Sequence, residues 1–254
     1  MLVQTEKPLE YPYLPEYEVK KIIINENICA EAAEKLKIFN IEIIHPEYDS
    51  SSESLIAGHP DVNICPAKGK LFVKSKSDHY KHLEPFYNID KIDLKTDMNY
   101  KSEAILNCLF IGKYLICNRK TASKKIIDYA KENEIKIIHV NQGYTKCSIC
   151  PVDKNAVITD DYGIHKALEN QFDVLLINKG EVKLKGFEYG FFGGCTGKIS
   201  KNKLAINGSL NYLKDKERIV SFLSRYNVEP IELFNGQPED IGSLIPVSEL
   251  CVFP

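Results

Sequence analysis

Apolar and polar positions follow one long-period pattern along this chain. A short apolar run is followed by a polar stretch with apolar residues three and four apart, and then by a second apolar run. The pattern occurs five times. The first runs end near Ile24, Val73, Ile116, Ile158 and Ile206, so the unit recurs every 42–49 residues. The second runs are Ile41–Ile44, Ile89–Leu94, Ile135–Val140, Asp173–Ile177 and Val228–Leu233. Short apolar runs bounded by turn residues predict strands, and the 3.6-residue spacing between them predicts helices. Ile28, Ala32 and Leu36 mark the first helix; Ile126, Ile127 and Ala130 the third; Ile164, Ala167 and Leu168 the fourth; Ile219, Phe222, Leu223 and Tyr226 the fifth. Thr121 or Ser123 is placed to cap the third helix, and Asp160 or Asp161 the fourth. The second unit's helix, around Tyr80 to Pro85, is the least marked.

Units two to four also begin alike. Ile64-Cys-Pro-Ala-Lys-Gly-Lys-Leu-Phe-Val73 aligns without gaps on Ile149-Cys-Pro-Val-Asp-Lys-Asn-Ala-Val-Ile158, and Cys108 keeps the offset of Cys65 and Cys150 from the following strand. Each of these units therefore opens with an extra strand, joined by a tight turn to the main one. Unit five has Thr196–Ser200 in that place. Unit one has no upstream counterpart; Pro8, Pro12 and Pro15 mark residues 1–17 as an arm. Its missing strand is predicted at the other end of the chain, where Ser243-Leu-Ile-Pro-Val247 reads like Ser148-Ile-Cys-Pro-Val152. Pairing of that strand with unit one would make residues 18–254 a single α/β domain, a five-unit pseudo-symmetric ring closed by the C-terminal strand. Closure would remove exposed strand edges. An open α/β sheet gives the same strand–helix alternation but leaves the recurring hairpin unexplained.

Composition narrows the function. The 254 residues carry a net charge of -2 with both signs interspersed, so no basic face speaks for nucleic acid. No apolar run has the length of a membrane span, and the N-terminus lacks a signal-peptide pattern. Eight cysteines, mostly inside apolar runs, read as reduced thiols in a cytoplasmic protein. A small-molecule ligand is the expected partner, with neither nucleic acid nor membrane; oligomeric state has no signature.

Three features carry a family resemblance: His59-Pro-Asp61 followed by Val-Asn-Ile, Gly193-Gly194 entering a hairpin, and the terminal Gly242-Ser-Leu-Ile-Pro246. With the five units, they make the chain similar to the pentein fold of guanidine-modifying enzymes, the deiminases, dimethylarginine hydrolases and amidinotransferases. The ribosome anti-association factor shares that fold. The resemblance implies a hydrolase, deiminase or amidinotransferase-like enzyme acting on a small guanidine or amidine through a cysteine, or a non-catalytic relative that binds a ligand or a macromolecule.

A guanidinium carbon is a poor electrophile, so such chemistry needs a thiolate nucleophile, carboxylates that pair with the planar cation, and a histidine that moves protons. The resemblance implies that His59 transfers protons and Asp61 holds the cation. On a strand, residues two apart would share a face. The family's nucleophile lies four residues before a proline in the C-terminal strand, where this chain has Gly242; Cys251 lies past that proline. Cys195, in Phe-Phe-Gly-Gly-Cys-Thr-Gly, is then the candidate nucleophile. Gly193 and Gly194 would allow close approach of substrate, and Asp153 and Asp240 are further candidates to bind it. No cofactor and no metal are expected. Cys65, Cys108 and Cys150 read as packing residues, and Cys147 and Cys150, three apart on a strand, would face opposite sides rather than share an ion.

Overall fold

Every strand of the five-fold pattern is present, each unit forming its own small sheet. The computed structural model describes residues 3–48, 54–74, 78–92 and 103–253. Unit two pairs β4 (Ile64–Ala67), β5 (Lys70–Val73) and β6 (Asn88–Lys91). Unit three pairs β7 (Leu109–Ile111), β8 (Tyr114–Cys117) and β9 (Lys136–His139). In unit four these are β10 (Ile149–Asp153), β11 (Ala156–Thr159) and β12 (Asp173–Leu176); in unit five, β13 (Thr196–Ser200), β14 (Lys203–Ile206) and β15 (Glu229–Glu232). Each sheet is an antiparallel hairpin whose second strand pairs in parallel with the third. The crossover between parallel strands requires a connecting helix or its equivalent. Asp93 and Leu94, the end of the second unit's expected strand, lie outside the described residues.

Unit one is completed from the far end of the chain. β16 (Ile245–Phe253) pairs antiparallel with β2 (Glu18–Ile23), which pairs in parallel with β3 (Glu42–Ile44). β1 (Val3–Lys7), within the expected arm, adds to the other edge of β16. The C-terminal strand thus takes the place in unit one that β10 takes in unit four, as the likeness of Ser243–Val247 to Ser148–Val152 predicts.

The helices follow their signals. They are α1 (Ala30–Ile38), α2 (Pro60–Asn63), α3 (Lys124–Glu132), α4 (Tyr162–Leu168) and α5 (Lys216–Arg225). Ser123 is the N-cap of α3, and the Asp161 carboxylate caps α4 by accepting from the Ile164 N–H at 2.9 Å. The second unit departs from the pattern: Lys81–Leu83 is a single 3₁₀ turn, and α2 has no counterpart in the hydrophobic periodicity. Apolar clusters lie between sheets rather than within them. One joins units two and three, through Phe72 and Leu115. Another joins four and five, through Ile158 and Leu204, and a third joins five and one, through Ala205 and Ile22. Among the described residues, no helix is long and apolar enough to cross a membrane.

Candidate active site

The loops entering the first strand of each sheet meet in the interior. His59 is not on a strand, contrary to the expectation. It is the N-cap of α2, with Pro60 at the first helical position, where the fixed φ of proline suits a helix start. Asn63 holds the turn by donating to the Ala57 and His59 carbonyls at 2.6 and 2.8 Å. The turn is wedged against residue 242, whose φ is +79°; a Cβ there would come within 2.3 Å of the His59 Cβ, so only glycine fits. The Asp61 N–H donates to the Gly242 carbonyl at 3.1 Å.

Asp61 is completely buried, and its Oδ2 accepts from the Ser243 hydroxyl at 2.7 Å and from the Cys147 thiol at 2.9 Å. Among the described residues, its Oδ1 has no hydrogen-bond partner. The same thiol lies 3.6 and 3.7 Å from the two carboxylate oxygens of Asp240. Asp240 is fixed by the Phe191 and Gly242 N–H groups, each donating at 2.9 Å, and its Oδ1 lies 3.8 Å from the His59 Nδ1. Backbone hydrogen bonds from Lys146 and Cys147 to the Asn107 side-chain oxygen, at 2.6 and 3.1 Å, set the cysteine's position. The Lys146 ammonium, also buried, donates to the Ser243 hydroxyl at 2.9 Å and to the Gly193 carbonyl at 3.3 Å. Asp61, Asn107, Lys146, Gly193 and Ser243 come from five different units, and each precedes the first strand of its hairpin. The repeat itself gathers these polar groups.

A cavity of about 300 Å³ opens onto the cluster, lined by His59, Cys147 and Asp240 together with mostly apolar and aromatic side chains. Burial, then the Asp240 and Asp61 charges, hold the Cys147 thiol well above its ordinary range. Burial and then the neighbouring Asp61 push Asp240 up to about 7. Burial lowers His59, favouring the neutral imidazole. A thiol, an imidazole and two carboxylates in this arrangement suit nucleophilic attack on a cationic carbon. Side-chain donor atoms of His59, Asp61 and Cys147 also lie within 4.8 Å of one another, a donor set that borderline metals such as zinc accept.

The sequence candidates divide. His59, Asp61 and Asp240 come together. Cys195 does not join them: it is completely buried outside the cavity lining, its thiol turned to the Phe192 carbonyl at 3.2 Å. Gly193 and Gly194 leave room for the chain's own atoms rather than for a ligand. A Cβ on Gly193 would lie 2.5 Å from the Cys147 carbonyl oxygen, and one on Gly194 2.1 Å from the Asp240 carboxylate. Asp153 is exposed at the end of β10, beside its own hairpin turn, where it accepts from the Asn155 N–H at 3.4 Å. Cys150 is oriented apart from the cluster, its thiol 4.0 Å from the Pro151 carbonyl oxygen. Sequence reasoning treats Cys147 only as half of a C-x-x-C pair and does not place it with His59, Asp61 and Asp240. A signal for it is present: Cys147 stands four residues before Pro151, as Gly242 stands before Pro246.

A family model described as "Family of unknown function (DUF6873)" matches residues 23–245. The chain belongs to this family. None of the curated proteins matches this DUF6873 chain. Solved structures do, at low identity. The inosamine-phosphate amidinotransferase from Streptomyces griseus aligns with TM-score 0.56 and 8% identity, covering 92% of this chain and 95% of that one. A citrulline-bound dimethylarginine dimethylaminohydrolase from Pseudomonas aeruginosa gives 0.55 and 9%, covering 92% and 100%. The agmatine deiminase from C. jejuni gives 0.52 and 15%, covering 95% and 98%. At such identities the likeness speaks for the fold, and the fold is the pentein fold.

Proposed function

We propose that this DUF6873 protein is a cysteine-dependent enzyme acting on a small guanidinium or amidinium compound, with its five units closed in a ring and working in the cytoplasm. One observation carries the chemistry: the Cys147 thiol sits between the Asp61 and Asp240 carboxylates, beside His59, where the cavity opens. The ring reading is supported by the hydrogen-bonded chain of polar groups from five units and by the apolar cluster joining units five and one.

In this reading Asp240, backed by Asp61, holds the planar cation by charge-assisted hydrogen bonds. Two carboxylates beside a thiol oppose its ionisation, so the thiol waits for a positive charge in the cavity to offset them. When the cation binds, the thiol proton passes to His59 and the sulfur attacks the central carbon. The carbon–nitrogen bond to the leaving amine then breaks, and His59 returns the proton to that amine. The amidino group remains on sulfur until water, or an acceptor amine, releases it. Ser243, itself held by Lys146, keeps Asp61 in place.

Labelling with 2-chloroacetamidine and its neutral analogue 2-chloroacetamide tests the reading. The cationic reagent should alkylate Cys147 at least about 10-fold faster than the neutral one, and Asp240→Asn should erase most of that preference. Equal rates with both reagents would remove the cation-directed thiol. A second reading, a pentein that binds a cation without turnover, draws on Gly242, where the resemblance puts the nucleophile and where the packing against His59 leaves no room for a side chain. Guanidine binding and Cys147 labelling, without release of amine or ammonia over many hours, would select it.

A further inference from the structure

We propose that the cation taken by this site is an arylalkylguanidine or its amidine counterpart, carrying no carboxylate, rather than an amino acid. This rests on the guanidine reading above and adds what the rest of the ligand must be.

The cavity is divided by chemistry. Its polar residues at the cluster are His59, Cys147 and Asp240, whereas Val62, Tyr144, Leu184, Tyr189 and Phe191 are among its other walls. The Tyr189 and Phe191 rings stand edge to face, 6.3 Å apart at 85°, so the wall offers both a ring face and a ring edge. Such surfaces favour an aromatic guest, which packs in the same offset and edge-to-face geometries. The volume, about 300 Å³, lies at the small end of ligand cavities and suits one ring and one planar head.

The charges point the same way. The carboxylates of the lining stand at both places: Asp240 at the cluster and the exposed Glu188 away from it. Among the described residues, no lysine or arginine lines the cavity. Lys146 is turned to Ser243 and the Gly193 carbonyl, and Lys179 lies 4.8 Å from the Tyr189 ring centroid without joining the lining. The carboxylate of an arginine-like ligand would therefore meet Glu188 with no lysine or arginine of the described lining to pair it, and like charges brought together oppose binding. The second ammonium of an aliphatic diamine would find only Glu188, an exposed carboxylate whose ion pairs are weak.

Calorimetric titration of the full-length protein with 2-phenylethylguanidine, agmatine and arginine tests this, alongside protection of Cys147 from iodoacetamide by each. The aryl compound should bind about 10-fold more tightly than agmatine and more tightly still than arginine, the increment expected from burying a ring rather than leaving it in water. Phe191→Ala, whose backbone N–H still reaches Asp240, should weaken the aryl compound about 10-fold and agmatine by less than about 2-fold. Leu184→Ala gives a second probe of the same wall should the first variant fold poorly. Arginine or agmatine binding as tightly as the aryl compound would overturn the inference and leave the guanidine reading standing. If none of the three binds or protects Cys147, the guanidine reading itself falls, and this inference with it.

Discussion

The segments that lead into β10 and into β13 occupy the same place in successive units, and each carries a buried cysteine, Cys147 in one and Cys195 in the other. In the first, Asn107 grips the backbone from the neighbouring unit and turns the thiol toward Asp61, Asp240 and His59. In the second, Gly193 and Gly194 bring the backbone so close to the Cys147 carbonyl and the Asp240 carboxylate that no side chain fits, and the thiol that follows turns back to its own segment. One position in the repeat thus supplies the thiol of the polar cluster in unit four and clearance for that cluster in unit five. A glycine pair beside a cysteine signals a close approach. Here the approaching atoms belong to the protein.

The widest expected difference between the two segments is in reactivity. Cys147→Ser should abolish cation-directed alkylation, while Cys195→Ala should leave its rate within about 2-fold and cost about 1 kcal/mol of stability by opening a small gap in the core. Mass mapping of chloroacetamidine adducts in both variants checks this. Labelling that persists in Cys147→Ser and disappears in Cys195→Ala would reverse the assignment.

The repeat is legible in the sequence because its signals are local: strand runs, hairpin turns and helical periods each lie within a few residues of one another. The pairing of β16 with unit one is legible because Ser243–Val247 repeats Ser148–Val152. His59 and Asp61 are legible as chemistry but not as geometry, since Pro60 starts a helical turn where a strand is expected. Cys147 escapes because the C-x-x-C spacing, taken alone, puts both cysteines on one strand. Cys150 does lie in β10, whereas Cys147 precedes it, in a loop whose direction is set by Asn107 from another unit. A contact across 40 residues leaves no mark in local spacing. The second unit's helix fails for the opposite reason: its faint signal corresponds to one 3₁₀ turn.

The next difference is steric. Gly194→Ala should drive the new methyl group into the Asp240 carboxylate and destabilise the protein by about 1–3 kcal/mol, as overpacking a filled interior does. Urea denaturation measures the loss. It should be accompanied by slower Cys147 alkylation by chloroacetamidine relative to chloroacetamide, because the displaced carboxylate is the one proposed to draw the cation. Alanine at residue 180, where φ is +88° and a Cβ would meet nothing within 4 Å, separates this crowding from backbone strain alone. A Gly194→Ala protein as stable as the parent would show that the glycine pair is not needed for clearance.

The smallest effect expected on reactivity concerns the carboxylate that secures the second segment. Asp160 Oδ2 accepts from the Phe192 N–H at 3.2 Å, while its Oδ1 is buried without a partner among the described residues. Burial pushes this group up to about 7, against about 4 in an unfolded chain. The folded state therefore holds the proton between those values and the unfolded state does not, so stability falls as pH rises from about 4 to about 7. Below that window both states are protonated and the group contributes no pH dependence. Asp160→Asn keeps an oxygen for the Phe192 N–H and removes the charge. Its stability should match the parent near pH 4 and exceed it at pH 8, the gap opening across the window and staying within the roughly 4 kcal/mol that three pKa units carry. Thermal unfolding at a series of pH values reads this directly. Parallel curves for the two proteins would mean that Asp160 is not the group that makes the second segment sensitive to pH, leaving Asp240, which holds the adjacent Phe191 N–H, to account for any slope that remains.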